Sequence, residues 1–329
     1  MEHSRGDAGK NPLDEYVRVV ANIYNAHDGY RSIWDVWCHT LHHAAGVSEQ
    51  IRRRAPNENL YREVADFSLW LFTAILKLTG KFGHSEGMTE TPQESFIRIQ
   101  SSCSDLIWHK YPKLCPRCFA SEKADAERLG HLSPCECPAQ RAENENDKTR
   151  RKRIMAVRRY SDGIRNKKPS SVDEWQEMFG AIFAKNLATL SPTDIALHLM
   201  EELGEASDAI VRLYTYKEET FRLGEPNWRM TNLEGQLADV FSWLFLLIEK
   251  LDFIDRESHQ HEEQPSTTTP KHAELNHLSS IIWRRYGSDD LGSFFCPFCR
   301  AAVCRCAIIL VPANRSIEEL VQKFQQVTG

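Results

Sequence analysis

MEELGEASDAI, residues 200–210, followed after a polar loop by EGQLADVFSWLF, residues 234–245, decides how this chain is read. Taken as two helices, these segments bring carboxylates onto facing surfaces. Glu201, Glu202 and Glu205 are three and four residues apart and share one helix face, which Asp208 extends by a turn. Like charges at that spacing repel, and carboxylates sharing a dry site cannot all ionise unless a cation lies between them. Hard oxygen ligands suit Mg²⁺ or Mn²⁺ better than Zn²⁺. In the second segment Asp239, with Gln236 one turn before it, interrupts an apolar stripe of Leu237, Val240, Phe241, Leu244 and Ile248. A buried carboxylate without compensation costs several kcal/mol or shifts until neutral, so this one calls for a partner.

Working outward, the whole chain repeats itself. Leu13–Ile51 aligns without a gap on Val172–Ile210, with Asp14-Glu15 on Asp173-Glu174 and His39 on His198. EVADFSLWLFTAILKL from Glu63 then aligns on QLADVFSWLFLLIEKL from Gln236, and IWHKY from Ile107 on IWRRY from Ile282. Each copy ends in cysteines: Cys115, Cys118, Cys135 and Cys137 in the first, Cys296, Cys299, Cys304 and Cys306 in the second. The expected organisation is a first unit over 1–147, a basic linker over 148–170 and a second unit over 171–329.

Apolar positions at helical spacing predict helices over about Asp14–Asn25, Ser32–Arg54, Leu60–Thr79 and Pro92–Tyr111, with the set repeated in the second unit. Ser171, three residues before Glu174, predicts a capping box, and Pro192 suits the first turn of the helix carrying the glutamates. Helices of this length joined by short loops pack as antiparallel bundles, which predicts an all-α architecture with one bundle in each unit. Outside the cysteine clusters, Ile308-Ile309-Leu310-Val311 alone reads as a strand, and Arg256–Thr269 and Ala139–Asp147 read as loops.

The acidic pair of segments resembles the MazG-type all-α nucleoside triphosphate pyrophosphohydrolases, whose mark is an ExxE helix followed by an ExxD helix. Glu202 and Glu205 match the first half of the pattern, Glu201 is the usual extra acid, and Asp239 ends the second half. Gln236 stands where the pattern has its other Glu. The resemblance implies that Glu202, Glu205, Gln236 and Asp239 hold Mg²⁺ or Mn²⁺, that Glu201 acts as general base, and that a (d)NTP is cleaved to (d)NMP and pyrophosphate. In the first unit Glu63 and Asp66 retain a complete ExxD, but His43 and Gly46 replace the paired glutamates. Two arrangements follow: an inert first unit that completes the bundle, or acids of both units converging on one site. A catalytically weakened nucleotide-binding or scaffold protein is the rival reading.

The cysteines of each unit have metal-ligand spacing, in which CPxC presents two thiolates to one ion and a later CxC completes a closed tetrahedral site. Two structural Zn²⁺ per chain are expected, each closing its unit in a small knuckle. Cys38 and Cys103 are left over as packing residues. Lys148–Lys168 carries ten Lys or Arg and one Asp; it reads as a solvated helical linker or as an electrostatic site for nucleic acid. The composition, 41% hydrophobic and 26% charged over 329 residues, is that of a soluble globular protein. Apolar runs are too short for a bilayer and the N-terminus lacks a signal-peptide pattern, so a cytoplasmic protein is expected, a homo-oligomer being compatible with the sequence.

Overall fold

The computed structural model describes residues 12–29, 31–54, 57–80, 98–117, 147–215, 226–260, 277–288 and 293–306. These residues are mostly helical. In chain order the helices are α1 (Leu13–Asp28), α2 (Ile33–Arg53), α3 (Asn57–Leu78), α4 (Cys103–Lys110), α5 (Asp147–Gly163), α6 (Val172–Ile182), α7 (Ala184–Thr189), α8 (Pro192–Tyr214), α9 (Pro226–Gln260) and α10 (Leu278–Tyr286). One two-residue pair of antiparallel strands, β1 (Gly287–Ser288) and β2 (Ser293–Phe294), follows α10.

Local chemistry accounts for where the helices begin. Ser32 and Ser191 each accept a hydrogen bond from the backbone N–H three residues on, and Asp35 and Asp194 in turn accept one from the serine backbone N–H, closing two capping boxes. Pro192 fills the first turn of α8, where its missing N–H costs nothing. Ser171 caps α6 through Glu174 N, but the Glu174 carboxylate reaches the Ser170 backbone at 2.6 Å, so the expected box is only half made. Arg54 ends α2 in the left-handed conformation, with its N–H on the last carbonyls.

Three expectations need correction. The helix expected over Pro92–Tyr111 is not continuous: residues 98–102 are irregular and α4 starts at Cys103 because Ser102 caps Asp105 N, while the part before residue 98 lies outside the described residues. The polar run from Arg256 is helical as far as Gln260, since it contains no Gly or Pro to stop α9. The basic segment is a packed helix, α5, with Val157 and Ser161 buried and the Trp108 indole donating to Ser161 O at 2.9 Å. The strand expected from Ile308 lies outside the described residues, as do Cys118, Cys135 and Cys137.

The core is continuous between the two parts of the chain. α2 packs on α3 and α8 on α9, while α2 and α8 meet each other, Trp37 donating to Ser207 Oγ at 2.7 Å. Phe72 of α3 stacks on Phe241 of α9 with ring centroids 6.1 Å apart. The short terminal helices are exchanged: α4 packs against α9, and α10 against α3. On α9, Leu237, Val240, Phe241, Leu244, Phe245 and Ile248 are all buried. Each such side chain contributes about 1.5–3 kcal/mol relative to exposure, so the face on which Asp239 sits is fixed by the residues around it. No helix among the described residues is long and apolar enough to cross a membrane.

Candidate active site and metal centre

Four of the sequence-predicted acid-site residues meet between α8 and α9. Gln236 donates its amide to Glu205 Oε2 at 3.0 Å. Glu202 is half-buried, and its Oε2 has no hydrogen-bond partner. Burial first, and then the nearby carboxylate of Asp239, push the Glu202 carboxyl up to about 8; Lys110 opposes this, and Glu205 and Glu201 add to it. Glu201 itself is exposed and lies 3.3 Å from His198 Nδ1. Asp208 is exposed and paired with Arg212 at 2.6 Å, one turn away from the cluster.

Asp239 is engaged by side chains that the acidic motif does not contain. Its Oδ2 accepts from Lys110 Nζ, which also donates to Gly235 O at 3.0 Å, and its Oδ1 accepts from the Tyr111 hydroxyl at 2.5 Å. Both donors come from the exchanged helix α4 and the residue after it. Burial and the Asp239 charge hold the Tyr111 hydroxyl well above its ordinary range, so it stays a donor.

Glu63 and Asp66 lie in a second constellation around α3. His43 Nδ1 is 3.1 Å from Glu63 Oε2. A Cβ on Gly46 would come within 2.7 Å of that same oxygen, so Glu63 fills the space left open by the glycine. Asp66 accepts from Arg285 Nε at 3.0 Å and Nη2 at 3.2 Å, and from the Tyr286 hydroxyl. Arg285 and Tyr286 come from α10, so an aspartate on each long helix is met by a cation and a tyrosine from the other part of the chain. The same correspondence extends outward: His39 stacks on Trp70 at 4.3 Å as His198 does on Trp243 at 4.5 Å. Likewise Ser104 Oγ donates to Asp14 at 2.5 Å as Ser279 Oγ does to Asp173 at 2.7 Å.

The acidic motifs alone miss Lys110, Tyr111, Arg285 and Tyr286. The signal that could have found them is the repeated IWHKY and IWRRY, whose last two residues carry the same donor chemistry. Glu202, Glu205 and Asp239 carry hard oxygen donors, but among the described residues the carboxylates do not converge as a metal-ligating group; the cysteine set described next does.

A second centre is made by sulfur. Cys296, Cys299, Cys304 and Cys306 place their Sγ atoms all within 4.8 Å of one another. Arg300 turns the chain with φ +56°, and Arg305 N donates to Cys299 Sγ at 3.2 Å, pulling that thiol down to about 6. Burial pushes Cys304 the other way. Four converging sulfurs make a closed donor set that can hold a metal ion. Cys304 N donates to Ile23 O of α1 at 2.7 Å, and Phe294 meets Tyr16 edge-on at 5.8 Å, so this loop is seated on the first part of the chain. Cys115 is buried, and its three expected partners lie outside the described residues.

The basic helix α5 is largely committed to internal contacts. Arg150 donates to Asn232 at 3.0 Å, Arg158 pairs with Glu234 at 3.6 Å, and Arg151 lies over the Trp228 ring at 4.7 Å. Beyond the helix, Arg165 and Lys168 both reach Asp105 at 2.8 Å. Comparison of the chain with protein-family models, with curated proteins and with solved structures gave no match.

Proposed function

We propose that the chain is a metal-dependent nucleoside triphosphate pyrophosphohydrolase whose site lies between α8 and α9. The observation that carries this reading is the half-buried Glu202 carboxylate beside other acids, one of whose oxygens is buried without a hydrogen-bond partner. Such a group demands a proton or a cation. Glu202, Glu205 and Asp239, with Gln236, would hold Mg²⁺ or Mn²⁺. When bound, the ion would neutralise charge developing on the phosphates and lower the pKa of the attacking water. Glu201, exposed at the rim of the cluster, is the group assigned to take the water's proton. The water oxygen bonds to the α-phosphorus as the bond to the bridging oxygen breaks, giving a nucleoside monophosphate and pyrophosphate.

The paired correspondences described above support reading the chain as a tandem duplication, in which the first half completes the bundle around the second half's site. Its own Glu63 and Asp66 are satisfied by His43, Arg285 and Tyr286. Two Cys₄ zinc sites, one per half, complete the proposed architecture.

The rival reading, a nucleotide-binding or scaffold protein without turnover, is favoured by the amide at Gln236 and by the Lys110 ammonium already resting on Asp239. Pyrophosphate release from a panel of NTPs and dNTPs with Mg²⁺ separates the two. Release that is lost in Glu205→Gln supports hydrolysis. Calorimetric nucleotide binding without release at any enzyme concentration supports the rival.

A further inference from the structure

Lys110 and Arg285 occupy the same place in the repeat, next to Tyr111 and Tyr286, and each reaches the aspartate of the opposite long helix. We propose that the difference between these two cations decides which aspartate can take part in divalent-cation and polyphosphate binding. The inference rests on the reading of the α8–α9 acids as the cation site.

Arg285 uses its planar fork. Nε and Nη2 each bond one oxygen of Asp66, and the Tyr286 hydroxyl adds a third contact. A bidentate guanidinium matches a carboxylate in the plane and leaves no face open for an incoming ion. Both cations lie over the ring of the adjoining tyrosine, Lys110 at 6.0 Å from Tyr111 and Arg285 at 5.9 Å from Tyr286, and Arg285 is further held over Phe298 at 5.6 Å. With Glu63 turned to His43 as well, the Asp66 constellation is closed by protein groups.

Lys110 is a point charge on a flexible stem. It holds Asp239 through one oxygen and spends a second donor on the Gly235 carbonyl, a weak anchor. Lys110 and Arg285 are equally accessible, about a quarter of each side-chain surface, so it is the bonding geometry and not burial that separates them. An ammonium in this position is a stand-in cation: it compensates Asp239 while the site is free and can move as a unit when a divalent cation arrives. The displaced ammonium is then beside the same acids and free to accept the phosphate oxygens that accompany the ion. Tyr111 keeps its bond to the other Asp239 oxygen at 2.5 Å and preserves the carboxylate's orientation. Lys110 is therefore a trans-acting electrostatic gate supplied by the first half, and Arg285 is a permanent lock.

Mn²⁺ titration of the full, zinc-loaded chain followed by electron paramagnetic resonance tests this without requiring turnover. The parent is expected to bind one Mn²⁺ that is lost in Asp239→Asn and kept in Asp66→Asn. Lys110→Arg, which keeps the charge but adds the fork, should weaken Mn²⁺ binding tenfold or more, and Lys110→Met should tighten it; Arg285→Lys should leave the Asp239 site's affinity unchanged. Melting curves identify any variant that fails to fold, and Lys110→Arg is conservative enough to keep the result interpretable. Parent binding at Asp239 with identical affinity in Lys110→Arg and Lys110→Met would overturn the gate alone. No Mn²⁺ binding by the parent would overturn the reading of the acids together with it.

Discussion

Gln236 donates its amide to Glu205 at 3.0 Å, in the position where the repeat places Glu63 against His43. In both cases a neutral or cationic donor has been set against a carboxylate, so each cluster carries less charge than four acids would. Replacing Gln236 by Glu reverses this in the second half. The variant should melt lower than the parent without divalent cation, by about 2–4 °C for each kcal/mol of added repulsion. It should bind Mg²⁺ and Mn²⁺ more tightly, because a hard anionic ligand favours a hard cation. Melting with and without Mn²⁺ checks both signs; a variant whose melting temperature responds to Mn²⁺ no more than the parent's argues against Gln236 as a ligand position.

Glu205→Gln and Asp239→Asn should abolish pyrophosphate release while leaving the circular dichroism helical. Asp66→Asn should behave in the opposite way. It leaves the half-buried Arg285 and the buried Tyr286 hydroxyl with a weaker acceptor, which lowers stability by about 1–3 kcal/mol but spares kcat. Loss of turnover in Asp66→Asn at temperatures where the variant is folded would place the aspartate in the reaction and make the site a composite of both halves.

The parts of this fold legible in the sequence are those specified within a few residues. Ser32, Ser191 and Pro192 mark their helix starts by chemistry that acts over one turn, and the apolar period of α3 and α9 marks their buried faces. The start of α4 is less legible: Ile99 continues an apolar spacing that does not itself require a helix, whereas the cap at Ser102 does fix one. Glu202 and Glu205 are legible as neighbours for the same local reason, whereas setting Gln236, 31 residues on and in another helix, against Glu205 needed the paired-helix pattern of the resemblance. The crossing of α4 onto α9 was not legible: Lys110 and Asp239 are 129 residues apart, and no helical period encodes which distant helix a short segment will choose. A repeated cation–tyrosine pair in the sequence was a sign of common use without an address.

The Cys₄ loop offers a test that does not depend on catalysis. Converging thiols within 4.8 Å of one another are satisfied together only by a metal ion or by protonation. Elemental analysis should find about two zinc ions per chain, and Cys296→Ser should remove one of them. Because the loop is joined to α1 through Cys304 N and Ile23 O and through Phe294 and Tyr16, losing its metal should lower the melting temperature of the whole chain and raise hydrogen exchange in α1. A variant that loses the ion yet melts like the parent would show that the loop is held by its apolar contacts alone.

The last expectation concerns pH. The Glu202 carboxyl is pushed up to about 8 by burial and by Asp239, whereas an unfolded glutamate titrates near ~4.3. Between those values the folded chain binds more protons than the unfolded chain, so this group's contribution makes stability fall as pH rises. The contribution is fully present below about pH 4.3, where both states are protonated, and is lost as pH rises through 8, where the carboxylate must ionise among other acids. Urea unfolding of the zinc-loaded protein without added divalent cation should give a stability lower at pH 8 than at pH 5.5 by up to about 3 kcal/mol from this group, and Glu202→Gln should remove that difference. Adding Mn²⁺ should flatten the parent's slope too, since a bound cation replaces the proton as the compensating charge. Equal slopes in the parent and in Glu202→Gln would mean that Glu202 ionises normally in the folded chain, and the acids between α8 and α9 would lose the electrostatic demand on which a cation site depends.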